Sequence, residues 1–129
     1  MIVIDASALL HILISPAQNP QTLEKIMAGG ALHAPHLIDS EILNALRLRV
    51  LLKEITAARA QEIVADLNEF TIGRWPMHPL NQRVWELRHN LTAYDASYVA
   101  LAENLKVPLY TRDAKLAHAP VRGVEIVLV

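Results

Sequence analysis

The 129-residue chain is expected to fold as an α/β three-layer sandwich, a mostly parallel central sheet flanked by helices. Three observations predict it. Short continuous apolar runs mark strands covered on both faces. Stretches of helical periodicity separate these runs, so strands and helices alternate in short units. No internal repeat, low-complexity tract or linker interrupts the alternation, which points to a single domain over residues 1–129.

The elements follow in order along the chain. Ile2 to Ile4, in "MIVIDASALL", is the first buried strand. Asp5 or Ser7 can then cap a helix running through Leu13. "SPAQNP" reads as a loop; Asn19 caps, Pro20 suits a first helical position, and Gly29-Gly30 ends that helix. "ALHAP" is a strand, and Leu37 to about Lys53 is helical. Thr56 starts another helix, with Ile63, Val64, Leu67 and Phe70 on one face. A weaker strand lies near Thr71 and Ile72, and "RWPMHP" is a turn. Leu80, Val84, Leu87 and Leu91 then follow a helical spacing, and a further helix runs from about Tyr94 to Leu105. "VPLYT" and "VEIVLV" are the last two strands.

Composition narrows the function classes. Absent cysteines exclude a disulfide scaffold, a thiolate metal site and a cysteine nucleophile, and fit a reducing compartment such as the cytoplasm. The net charge of −1 and pI near 6.6 are unlike a globally basic nucleic-acid binder, so a phosphate-rich ligand would need a local basic patch or bound cations. The apolar fraction of 53% and mean hydropathy of +0.25 suggest surface set aside for a partner chain. No signal peptide is expected, and no apolar run has the ~18 residues of a membrane span.

Four acids stand apart from the others. Glu24, Glu54, Glu62, Asp66, Glu69, Glu86 and Glu103 fit polar helix faces, and Glu125 alternates within the last strand. Asp5 ends a buried strand, where capping is its ordinary role. Glu41 has Leu37, Ile38, Asn44 and Ala45 as helical neighbours, an apolar setting that is costly for an unpaired carboxylate. Its ordinary explanation is a buried ion pair, yet Arg47 and Arg49 are wrongly spaced to supply one. Asp95 stands three residues after Thr92, at capping-box spacing, and opens a mostly buried helix. Asp113 follows another buried strand and can cap "AKLA". In a parallel sheet all four can meet at one edge, where ligands of such folds sit. Four carboxylates in one pocket repel, and the natural remedy is a hard divalent cation, Mg²⁺ or Mn²⁺. Ser7 and Thr111 are placed to hold carboxylates or waters around it.

The stretches "VIDASALL", "APHLIDSEILNAL" and "LTAYDASYVALAENLKVPLYTRDAKL", with the apolar final strand, resemble the PIN-domain ribonucleases, and within them the VapC-type toxins of toxin–antitoxin pairs. The resemblance spans nearly the whole chain in the family's order. It implies that Asp5, Glu41, Asp95 and Asp113 are the catalytic, metal-holding acids, that Thr111 is the threonine preceding the last acid, and that Asn44 is the polar residue following the glutamate. It implies an endoribonuclease dependent on Mg²⁺, with Mn²⁺ as substitute, that activates a water by metal and leaves transfer, ribosomal and messenger RNA open as targets. Asp95 or Asp113 is then the candidate base, and Arg112 a phosphate contact or a solvated arginine in equal measure. The acid that some members carry after Asp113 is missing, so one tightly held metal or two are both open. A homodimer and a cognate VapB-type antitoxin are implied partners, with Leu43–Leu52 and Ile63–Phe70 as candidate contact segments.

Competing readings are weaker. A haloacid-dehalogenase-like phosphohydrolase needs a second Asp where Ser7 stands. A response-regulator receiver needs paired acids after the first strand and an acceptor Asp in mid-chain. Neither G-x-G-x-x-G nor a Walker loop is present. The six histidines include no H-x-x-x-H pair and read as structural or surface residues. A non-catalytic relative that binds RNA or an antitoxin is the non-enzyme alternative, and the presence of all four acids argues against it.

Overall fold

A computed structural model describes residues 1–129. Five strands form one sheet: β1 (Ile2–Ile4), β2 (Leu32–Pro35), β3 (Ile72–Trp75), β4 (Leu109–Thr111) and β5 (Ile126–Leu128). Their order is β3-β2-β1-β4-β5, and every pairing is parallel. β1 is central, with Val3 facing His33 on β2 and Leu109 on β4. Its three residues are all buried, as a strand covered on both faces requires. The helices are α1 (Ala6–Ile14), α2 (Pro20–Ala28), α3 (Leu37–Leu51), α4 (Ala57–Glu69), α5 (Asn81–Glu86), α6 (Ala93–Leu105) and α7 (Ala114–Ala117). The α/β sandwich expected from the sequence is the fold observed.

The helices reach the sheet through different side chains. α6 lies against β1, β2 and β4, and residues Ala96 to Ala102 are all buried. Three of those seven are alanines, which let the helix approach the strands closely while Tyr98, Val99 and Leu101 fill the gaps. α1 packs on β4 and against α3 and α4, burying Leu9, Leu10, Ile12 and Leu13. No helix is long and apolar enough to cross a membrane.

Three local differences from the sequence expectation have plain causes. β3 continues through Arg74 and Trp75 into the expected turn, because both side chains find partners, one on a helix and one on the neighbouring strand. Arg74 forms a two-bonded ion pair with Asp39 of α3 (2.6 and 2.8 Å), and the Trp75 indole donates to His33 Nδ1 at 2.9 Å. α5 stops at Glu86 although Leu87 and Leu91 keep helical spacing: the chain runs through turns over residues 87–90, with Leu91 N still bonded to the Leu87 carbonyl at 3.1 Å, before Thr92 turns extended (ψ 159°) to cap α6. Asn19 does not cap α2 with its side chain; its amide donates instead to the Ser15 carbonyl at 2.9 Å. Gly30 closes α2 in the left-handed region at φ 84°, a conformation that glycine adopts without strain.

Candidate active site

The order of the strands reverses between β1 and β4, and the crevice beyond their carboxyl ends is where open α/β sheets bind ligands. Asp5 leaves β1 there, and Thr111 to Asp113 leave β4. Asp5 is 6% exposed and caps α1, its Oδ1 accepting from Ala8 N at 2.9 Å. The ordinary capping role is therefore real, and it uses only part of the carboxylate. Oδ1 also accepts from the Ser7 hydroxyl at 2.7 Å, and Oδ2 accepts from the buried Thr111 hydroxyl.

These two hydroxyls tie the strand ends together. Each has one proton, given to Asp5, and each then has lone pairs left for donors from the β4 exit. Ser7 Oγ accepts from Arg112 N at 3.0 Å, and Thr111 Oγ1 accepts from Asp113 N at 2.9 Å. The sequence places Ser7 and Thr111 near the acids; the structure shows them joining residues more than a hundred positions apart.

Asp113 caps α7, with Oδ1 accepting from Lys115 N at 2.9 Å. Glu41 projects from α3 and is half-buried. Its partner is no arginine: the Tyr98 hydroxyl donates to Oε1 at 2.7 Å. Tyr98 is 1% exposed and lies one helical turn after Asp95 on α6. Sequence reasoning missed it. The available signal was its spacing of three from Asp95, which places both on one face. Asp95 offers its amide to the Thr92 side chain at 3.2 Å, so the capping box forms by half; the Asp95 carboxylate takes no hydrogen bond from the protein.

Electrostatics bind the four into one group. Burial raises the Asp5 carboxyl above its usual range, against the pull of its hydrogen bonds, and the charge of Asp113 raises it further. Burial raises Glu41 as well, opposed by the Tyr98 bond and assisted by Asp95 and Asp5. Asp95 is raised by burial, then by Asp113 and Asp5. Each acid thus lies in the field of at least one other. No three Asp, Glu or His side chains of the chain stand close enough together to enclose one ion as they are placed. The donor set itself, four carboxylates of which Asp5 and Glu41 are held by hydroxyls, is the chemistry a hard divalent cation takes.

Two hollows border the group, and Glu41 lines both. A cleft of about 530 Å³ between α1 and α3 carries Ser7, His11, Arg49 and Arg112 beside Glu41. A second hollow of about 400 Å³ is lined by Leu37, Ser40, Glu41, Asn44 and Tyr94. Arg112 lines the first while its guanidinium donates to the Val129 carbonyl at 3.1 Å.

Comparison with known proteins agrees with the topology. Residues 2–121 match the PIN domain model. The VapC ribonuclease Mb0985 of Mycobacterium bovis is 43% identical over 117 residues, 91% of this chain and 89% of that protein. Ribonuclease VapC1 of Mycobacterium tuberculosis is 41% identical over 128 residues, 98% and 96% of the two chains. Among solved structures, PAE2754 from Pyrobaculum aerophilum superposes with a TM-score of 0.71 at 28% identity, covering 97% of this chain and 82% of that one. VapBC2 from Rickettsia felis, bound to a promoter DNA fragment, gives 0.71 at 12% identity over 99% and 98%, a likeness of fold alone. A parallel sheet with acids gathered where its strand order reverses, and relatives at this identity along almost the full length, place the chain in the VapC family of PIN-domain proteins.

Proposed function

We propose that the protein is a divalent-metal-dependent endoribonuclease, the toxin of a toxin–antitoxin pair, acting on RNA in the cytoplasm. The observation that carries this reading is the mutual field of Asp5, Glu41, Asp95 and Asp113 at the carboxyl edge of the sheet. Relatives named VapC ribonucleases support it.

Asp5, Glu41, Asp95 and Asp113 would hold Mg²⁺, or Mn²⁺ in its place. When bound, such an ion supplies a Lewis acid for the attacked phosphate and lowers the pKa of an attacking water. The chain's own residues do the rest. Ser7 and Thr111 fix the Asp5 carboxylate and the direction of the β4 exit, which carries Asp113. Tyr98 fixes Glu41. Asp95 keeps its lone pairs free of protein donors, which suits it to receive a proton from the attacking water. Arg49 and Arg112 line the cleft beside Glu41 and offer positive charge to the RNA backbone.

The partners follow from the surface and the relatives. Leu43, Leu48, Leu51 and Leu52 on and after α3 are 46–60% exposed, and a groove between α3 and α4 adds Val50, Ala57, Ala60 and Val64. This face is proposed for a VapB-type antitoxin or a second copy of the chain. The candidate segment Ile63–Phe70 suits it less, since Ile63 and Leu67 are buried in the core.

The test is cleavage of a transfer-RNA pool and of total RNA by the purified chain in Mg²⁺, Mn²⁺ and EDTA, beside Asp95→Asn. Cuts that require metal and vanish in the variant are expected. Cuts of equal rate in EDTA, or retained by Asp95→Asn, would overturn the mechanism.

A further inference from the structure

We infer that the hollow on the Tyr94 side of Glu41 is a nucleobase subsite, in which Tyr94 stacks one unpaired base of a single-stranded RNA. The inference deepens the proposed ribonuclease reading and rests on it for the path of the strand.

Tyr94 is 65% exposed, next to Asp95 and in the first turn of α6. Nothing in the packing of α6 requires it there. Tyr98, one turn on, is 1% exposed and supports Glu41. The exposed ring shares a hollow of about 400 Å³ with Leu37, Ser40, Glu41 and Asn44, within the ~300–1,000 Å³ range of small-ligand sites. Its composition matches a base: an aromatic and an aliphatic side chain for the faces, a hydroxyl and an amide for the edge. Asn44 brings both a donor and an acceptor, as the edge of a base does.

Glu41 belongs to both hollows, so the two adjoin at that acid. One side presents Arg49 and Arg112, the chemistry of phosphate contact. The other presents Tyr94 and no cation, the chemistry of base stacking. A strand passing Glu41 meets its phosphates in the first hollow and turns a base into the second. A base within an A-form duplex cannot present its face in this way, so the substrate class is unpaired RNA.

The experiment is fluorescence-anisotropy binding of a short fluorescein-labelled single-stranded oligoribonucleotide in Mg²⁺. The protein carries Asp5→Asn to prevent cleavage, with Tyr94 intact or changed to Ala or Phe. Tyr94→Ala is expected to raise Kd about 5- to 140-fold, the ~1–3 kcal/mol of one stacked base at 1.4 kcal/mol per tenfold. Tyr94→Phe should keep the affinity, and thermal melts of the three should coincide because the ring is exposed. An abasic scan of the oligonucleotide should find one position whose loss costs affinity when Tyr94 is intact and costs nothing in the Tyr94→Ala protein. Unchanged affinity in Tyr94→Ala, or additive effects at every position, would overturn the subsite and leave that face to a protein partner. Stacking without any metal-dependent cleavage by the unmodified chain would keep the subsite and overturn the nuclease. No RNA binding at all would overturn both.

Discussion

Tyr98→Phe removes a single oxygen from the core and separates positioning from chemistry. That oxygen donates to Glu41 at 2.7 Å, and the Tyr98 side chain is 1% exposed, so the ring should stay where it is. A hydrogen bond to a charged group contributes about 1.5–3 kcal/mol. Glu41 is only half-buried and water can replace part of the bond, which sets the expected loss near the lower end, about 1–2 kcal/mol at pH 7. For a chain of this length that lowers Tm by roughly 3–8 °C. The pH dependence has a definite sign. The bond is strongest when Glu41 is ionised, so the deficit should be full at pH 7. It should shrink as the pH falls through the raised Glu41 pKa, where a neutral carboxyl accepts more weakly. Urea unfolding of both proteins at neutral and acid pH measures the deficit directly. A deficit equal at both pH values, or none at pH 7, would refute the assignment of Tyr98 as the anchor of Glu41. Cleavage should fall as well, in kcat more than in KM, because Glu41 loses its fixed position.

Other outcomes follow from the same geometry. Asp5→Asn should abolish cleavage yet raise Tm in EDTA at pH 7, since burial and Asp113 disfavour the ionised carboxyl; a lower Tm would show that the charge-assisted bonds outweigh repulsion. In the metal-free wild type the stability contributed by Asp5, Glu41 and Asp95 should be full below their ordinary carboxyl values of 3.8 and 4.5. That contribution should be lost as pH rises through the raised values of the three, and Mg²⁺ should flatten the neutral end of a Tm-against-pH series. Thr111→Val leaves Asp5 Oδ2 without its partner in a buried place and Asp113 N without its partner in a part-buried one, and should cost about 2–3 kcal/mol in urea unfolding together with the activity. Thr111→Ser, which keeps the hydroxyl, should recover most of both.

The frame of the fold was legible because its strands are short, apolar and separated by helical spacing. Ile2 to Ile4 could be placed from three letters, since a parallel strand covered on both faces leaves no polar alternation. The extent of β3 was not legible, because Arg74 and Trp75 look like surface residues until Asp39 of α3 and His33 of β2 are brought to them by the fold. Asp39 itself gave no signal as a tertiary partner for the same reason. Asp5, Asp95 and Asp113 stood out by position, at strand ends and at the start of a buried helix. Glu41 stood out by its apolar neighbours, but its partner could not be deduced: a tyrosine on another helix, 57 positions away, is invisible to local spacing. The same holds for Thr111, which sequence could place near the acids but not between two strands.

Because every neighbouring pair in the sheet is parallel, no strand pairs with a tight hairpin of its own, and the middle strand is synthesised first. Its partner β4 arrives only after residue 108, bringing Thr111 and Asp113. A nascent chain of a hundred residues therefore holds three of the four acids and lacks the strand that satisfies Asp5. The full set of four acids therefore comes together late in synthesis, only when β4 docks beside β1.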